Sequence, residues 1–211
     1  MADRGQPATP GPACASGGPG AAVGTAPTFP RLQGDCAACA GLCCIAFAFE
    51  PSDSFGCDKP AGVPCPHLTR ADGCAIHADR AARGFSGCIG YDCLGAGQRV
   101  TQELFPGQHW RQSEALRQRM LSAFRALREV HRLLDLLQLA GRLPLDPAQQ
   151  DARNRLIAAL LPAGGWTEAA LAEVEAGPVP AAVAQFLTGL RGAAAGLRGL
   201  TSPAARATSR P

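Results

Sequence analysis

The sequence predicts a mainly α-helical protein in which an irregular, metal-stapled, cysteine-rich module precedes a small helical C-terminal unit. Three observations carry this expectation. Nine of the ten cysteines fall between Cys36 and Cys93. From His109 onward apolar residues recur three or four positions apart, the period of an amphipathic helix. Glycine and proline, 25 and 18 of 211 residues, make up about a fifth of the chain against an ordinary ~12%, so much of it is loop or turn. A chain of this length accommodates one compact module with an appendage.

Residues 1–33 are rich in Pro, Gly, Ala and Thr, bury too little apolar surface to offset ordering entropy, and are expected to form a disordered tail that carries Cys14 as an incidental thiol. This start lacks the apolar core of a secretory signal, and no uninterrupted run of ~18 apolar residues occurs, so a cytoplasmic protein with no membrane association is expected. The formal charge of +3, in a chain whose only lysine is Lys59, argues against nucleic acid as a partner.

Residues 34–104 form the expected cysteine-cluster module. Turn-forming pieces such as EPSDSFG, DKPAG and TRADG separate short apolar runs. CCIAFAFE alternates partly at period two and suggests a short strand, whereas CAIHADRAARG suggests a turn or two of helix ending at Gly84. Few large apolar residues are available here, so burial alone is a weak means of holding the module together.

Residues 105–200 are expected to be helical. In the long segment from His109 to Gly141, Leu116, Met120, Phe124, Leu127, His131, Leu134 and Gln138 mark one face. Gly141 and Pro144 end it, Asp146 and Pro147 read as N-cap and first residue of a helix to about Leu161, and further helices span Thr167–Ala176 and Pro180 to about Leu200. Residues 201–211 are expected to be disordered.

In a reducing cytosol, cysteines seldom form lasting disulfides, so a cluster of them points to metal. Cys36 and Cys39 have the spacing that lets one tight turn aim two thiolates at one metal, and Cys43 follows one turn later. Cys44 diverges from its neighbour and serves a second centre or the core. Cys65, Cys74, Cys88 and Cys93 supply ligands distant in sequence, whose coordination closes the loops between them. Zn²⁺ and an iron–sulfur cluster both accept four thiolates at irregular spacing, so the sequence leaves the metal and the number of centres open. The opening spacing is the reverse of the radical-SAM CxxxCxxC loop, and that enzyme class gains no support.

CAACAGLCC, PCPHL, GCAIHADR and GCIGYDC together resemble the YkgJ-type cysteine-cluster family, described as a zinc- or iron-chelating domain with a CxxCxxxCC opening and later single cysteines. The resemblance covers about 60 of the 211 residues. It is nearest to a bacterial subgroup often joined to pentapeptide repeats, which are not found here. It implies a cluster set of Cys36, Cys39, Cys43, Cys44, Cys65, Cys74, Cys88 and Cys93, leaves Cys57 and Cys14 outside, and implies no reaction.

His67 and His77 lie two and three residues after a cysteine and read as polar neighbours of the cluster or as extra ligands; Cys57 is equally open. His131 reads as a packing residue and His109 as an ordinary helix-start residue. Gly95-Ala-Gly97 is only a fragment of a phosphate loop, and the aspartates of the loops read as turn formers. The expected function is metal binding, structural or redox. Its rivals are an iron–sulfur or thiol-dependent oxidoreductase, with Cys44 as the thiol, and an adaptor for nucleic acid or protein built on the arginine-rich long helix, whose apolar stripe would also serve a homodimer.

Overall fold

The computed structural model describes residues 29–190. Cys14, nearly all of the first expected tail, the last one, and the end of the final expected helix lie outside the described residues. Within them the protein is mainly helical, and the β-pairing among the described residues is limited to the isolated bridges Phe49–Lys59, Ser52–Phe55 and Leu68–Cys74.

The first helical element among the described residues is a 3₁₀ turn, Cys36–Ala38, capped by Asp35, whose side chain accepts the Ala37 N–H at 3.0 Å. Helix α1 is Cys43–Ala46. The strand expected from CCIAFAFE is therefore wrong over its first half: Leu42, Ile45 and Ala46 turn one helical face into the core, and only Phe49 pairs in extended form, with Lys59. Residues 75–84 form successive turns rather than a regular helix, ending at Gly84. Two further short helices, α2 (Ser86–Gly90) and α3 (Ala96–Arg99), were not expected; α3 continues into a π-helical turn, Val100–Leu104.

After a 3₁₀ turn at Trp110–Gln112 comes α4, Glu114–Ala140. It starts later than the apolar period alone suggested because the Ser113 hydroxyl accepts the Leu116 N–H at 3.1 Å and fixes the N-terminus there. Every apolar-stripe position named above is buried except Gln138, which is exposed. Over 27 residues the stripe moves round the helix, and Leu137 and Ala140 take the core positions instead. Helices α5 (Pro147–Leu160), α6 (Glu168–Ala176) and α7 (Val179–Gly189) follow. Asp146 and Gln149 form a reciprocal capping box, and Thr167 caps α6.

Helix α4 is the spine. Leu160, Leu171 and Val183 of the three later helices, and Ala40, Leu42, Ile45, Ala96 and Val100 from the part before it, join its buried residues in a single hydrophobic core. From residue 47 to residue 94, by contrast, only Lys59, Ile76 and Phe85 are buried. No described helix is long and apolar enough to cross a membrane.

Candidate metal centre

Each cysteine is delivered by a local device. The Cys36–Ala38 turn closes with Cys39 N–H on Cys36 O at 3.4 Å. Gly41 then reverses the chain at φ +69°, where a Cβ would meet Leu68 Cδ1 at 2.6 Å, and this places Cys43 and Cys44 at the start of α1. The Cys65 N–H returns to Cys44 O at 2.9 Å. Cys74 pairs with Leu68, and Cys88 lies in α2. Cys93 is held by Asp92, whose Oδ1 accepts the N–H of Leu94 at 2.7 Å and that of Gly34 at 3.1 Å.

All eight of the cysteines named as the cluster set line one cavity of about 690 Å³. Cys57 does not line it, although it lies within electrostatic reach of Cys65 and Lys59. His67 and His77 are on the wall; the His67 ring packs edge-on to Phe85, centroids 5.0 Å apart. The nine described cysteines are free thiols. Among the described residues, no three His, Cys, Asp or Glu side chains are gathered tightly enough to hold a single ion.

The wall also carries cations. Lys59 is 2% exposed and its Nζ donates only to carbonyls, Val63 O at 2.7 Å, Pro60 O at 3.1 Å and Ile45 O at 3.2 Å. Among the described residues no carboxylate pairs with it; the ionisable groups that act on it are Cys65, Cys44, Cys57 and Cys43. A buried ammonium needs a counter-charge, and thiolates are the ones on offer. Arg80 donates from Nη1 to Cys88 O at 3.2 Å and lines the cavity, as does Arg128, which lies 5.2 Å over the Tyr91 ring. The signal for Lys59 was its solitude in a chain that otherwise uses arginine; Arg128 was legible only as one arginine of the long helix's basic face, and nothing in the sequence marked Arg80 as a cation of the wall.

Burial pushes the Cys39 thiol up to about 11, against the pull of the Leu42 and Gly41 N–H groups on its sulfur. Burial and the thiols beside them also raise Cys36, Cys65 and Cys88. Cys43 is raised above all because its S–H is held by Cys44; the same bond, with Lys59 and Arg80, lowers Cys44. So many sulfurs in one cavity ionise together only if cations neutralise them.

Two features fit a thiolate-bound metal. Gly97 leaves its Cβ position empty where an added carbon would stand 2.7 Å from Cys39 Sγ and 3.7 Å from Cys93 Sγ. The hydroxyl of Tyr91, a residue of the wall beside Arg128, is buried and finds no hydrogen-bond partner among the described residues. The donor set is soft sulfur, suited to zinc or iron–sulfur chemistry.

His131, read as a packing residue, is fully buried, with Nδ1 2.6 Å from Leu94 O, and so ties the Cys93 loop to α4. His109 and Asp72 do more than expected: His109 Nε2 bonds Asp72 Oδ2 at 2.8 Å, and Arg111 also pairs with that carboxylate. Together they join the Cys74 loop to the approach to α4.

The uncharacterised protein YybG of Bacillus subtilis (strain 168) is 40% identical to this chain over 103 residues. The matched part is 49% of this chain and 37% of YybG, so the likeness spans little more than a third of that relative. No family model matches, and no solved structure matches.

Proposed function

We propose that the chain is a metal–thiolate module in which Zn²⁺ or iron–sulfur coordination ties loops that have almost no core of their own. The observation that carries this reading is the convergence of eight free thiols on one cavity beside a buried lysine that has only neutral oxygen partners. The motif resemblance to the YkgJ-type family supports it. Coordination replaces the missing apolar burial between residues 47 and 94 as the source of folding energy. A reducing cytoplasm, where the thiols stay available, suits it. The test is elemental analysis of the full chain purified without oxygen: zinc or iron in stoichiometric amount is expected, and metal-free protein after expression with both supplied removes the proposal.

One observation favours a second reading, a thiol-dependent oxidoreductase. Cys44 is pushed toward ionisation by the Cys43 S–H, Lys59 and Arg80. If Cys44 acts so, metal-free protein treated with iodoacetamide near neutral pH is labelled there first; uniform labelling removes this alternative. The arginine face of α4 gives less support to an adaptor role, because Arg117, Arg119 and Arg132 pair with Glu114, Glu168 and Glu129. The apolar stripe of α4 is covered by the chain itself, which leaves a docked protein or second copy without that surface.

A further inference from the structure

The eight thiols are not evenly mixed. Cys36 and Cys39 share the first turn, and the bare backbone of Gly97 has Cys39 Sγ and Cys93 Sγ on either hand. The thiol that acts most on Cys36 is Cys93, and Cys43 feels Cys39 and Cys36. Elsewhere on the wall, Cys65 is bonded through its backbone to Cys44, and Leu68, whose N–H bonds Cys65 O at 2.9 Å, pairs with Cys74. Arg80 spans from His77 O at 2.9 Å to Cys88 O at 3.2 Å, and the His77 N–H holds Cys74 O at 3.2 Å, so the Cys74 turn is linked through His77 to the guanidinium that holds Cys88. Cys88 accordingly feels Cys44, Cys65 and Cys74. The sets meet at Cys43 and Cys44, which are consecutive and share an S–H bond, and Cys36 is also in reach of Cys44.

Spacing bears on what each set holds. A tetrahedral zinc with Zn–S bonds of about 2.3 Å draws its sulfurs to ~3.8 Å of one another. An iron–sulfur cluster spreads its four thiolates over separate iron atoms around a larger body, and a cavity of about 690 Å³ has room for such bodies.

Building on the metal–thiolate reading, we infer that the cavity holds two neighbouring four-thiolate centres, Cys36, Cys39, Cys43 and Cys93 in one and Cys44, Cys65, Cys74 and Cys88 in the other, with room for an iron–sulfur cluster in each. Splitting a consecutive pair between centres explains why two adjacent cysteines both face one cavity. Arg80, acting on Cys36 and on Cys44 and Cys88, stands as a shared cation between the two clusters.

The test uses the full chain purified without oxygen, with iron and acid-labile sulfide counted per chain and electron paramagnetic resonance recorded after dithionite. Equal iron and sulfide are expected, with a reduced spectrum broadened by two nearby spins. Cys93→Ser and Cys74→Ser should each lower iron and sulfide to about half and leave an unbroadened signal, and Cys57→Ser should change neither. Complete loss of iron in both single variants, in protein that stays folded by circular dichroism, overturns the division into two centres. Stoichiometric zinc without sulfide overturns the cluster assignment but leaves the metal–thiolate function standing, whereas absence of any metal removes both. Should the variants precipitate, the native protein decides: an unbroadened single-spin spectrum overturns the pair.

Discussion

A lysine with 2% of its surface exposed and three carbonyls around its ammonium is the residue whose role is most sharply testable. Were Lys59 only a structural cation, a methionine of similar shape would relieve a desolvation penalty and stabilise the fold without touching metal affinity. With thiolates as its counter-ions, Lys59→Met withdraws charge from the ligands, and metal affinity is expected to fall roughly 10–100-fold, as for other outer-shell partners. Competition against a chromophoric chelator measures it. His131 supplies a pH test. Burial lowers it to about 4, against the opposing bond to Leu94 O, so it stays neutral in the folded protein at pH values where the unfolded chain, near 6.5, takes up a proton. Its contribution is therefore present above pH 6.5 and is lost as pH falls toward 4, on the order of 3 kcal/mol in all. Urea titrations at pH 7 and pH 5 should show lower stability at pH 5, and His131→Gln should shrink that difference.

Among the elements, legibility followed length and capping. Helix α5 was readable because Asp146, Pro147 and Gln149 state its start chemically, and α6 because Thr167 does the same. Helices α1, α2 and α3 have four or five residues, shorter than any hydrophobic period can mark, and they exist because tertiary packing holds them; CCIAFAFE alternated like a strand over the very residues that coil. The same distinction sets the expected scale of damage. Ser113→Ala removes one cap bond at the exposed start of α4 and should cost about 1 kcal/mol. Leu134→Ala opens a hole at a fully buried position of the spine and should cost about 2–5 kcal/mol. Denaturant midpoints of the two variants against the parent check both values, and equal losses would mean that α4 is not the centre of the packing.

The whole molecule divides by what holds it rather than by where the chain folds. Twelve buried residues line α4 alone, whereas the 48 positions from 47 to 94 bury three, one of them charged. The candidate site was legible as a density of cysteines, since only composition is needed to see nine sulfurs crowded into 58 residues. Its partition was not, because which loop returns beside which is fixed by Cys65 N–H on Cys44 O, by the Arg80 span and by the gap at Gly97, contacts with no local sequence signature. If coordination supplies the energy that apolar burial supplies elsewhere, stripping the metal should act regionally. Hydrogen–deuterium exchange of the full chain, before and after treatment with a strong chelator, is expected to show residues 47–94 losing most of their protection while α4 to α7 keep theirs, held by Phe124, Leu134, Leu160 and Val183. Unchanged protection in the loops would mean that Ile76, Phe85 and the aromatic contacts of Phe49 and Phe55 suffice to order them, and the thiols would then need another explanation.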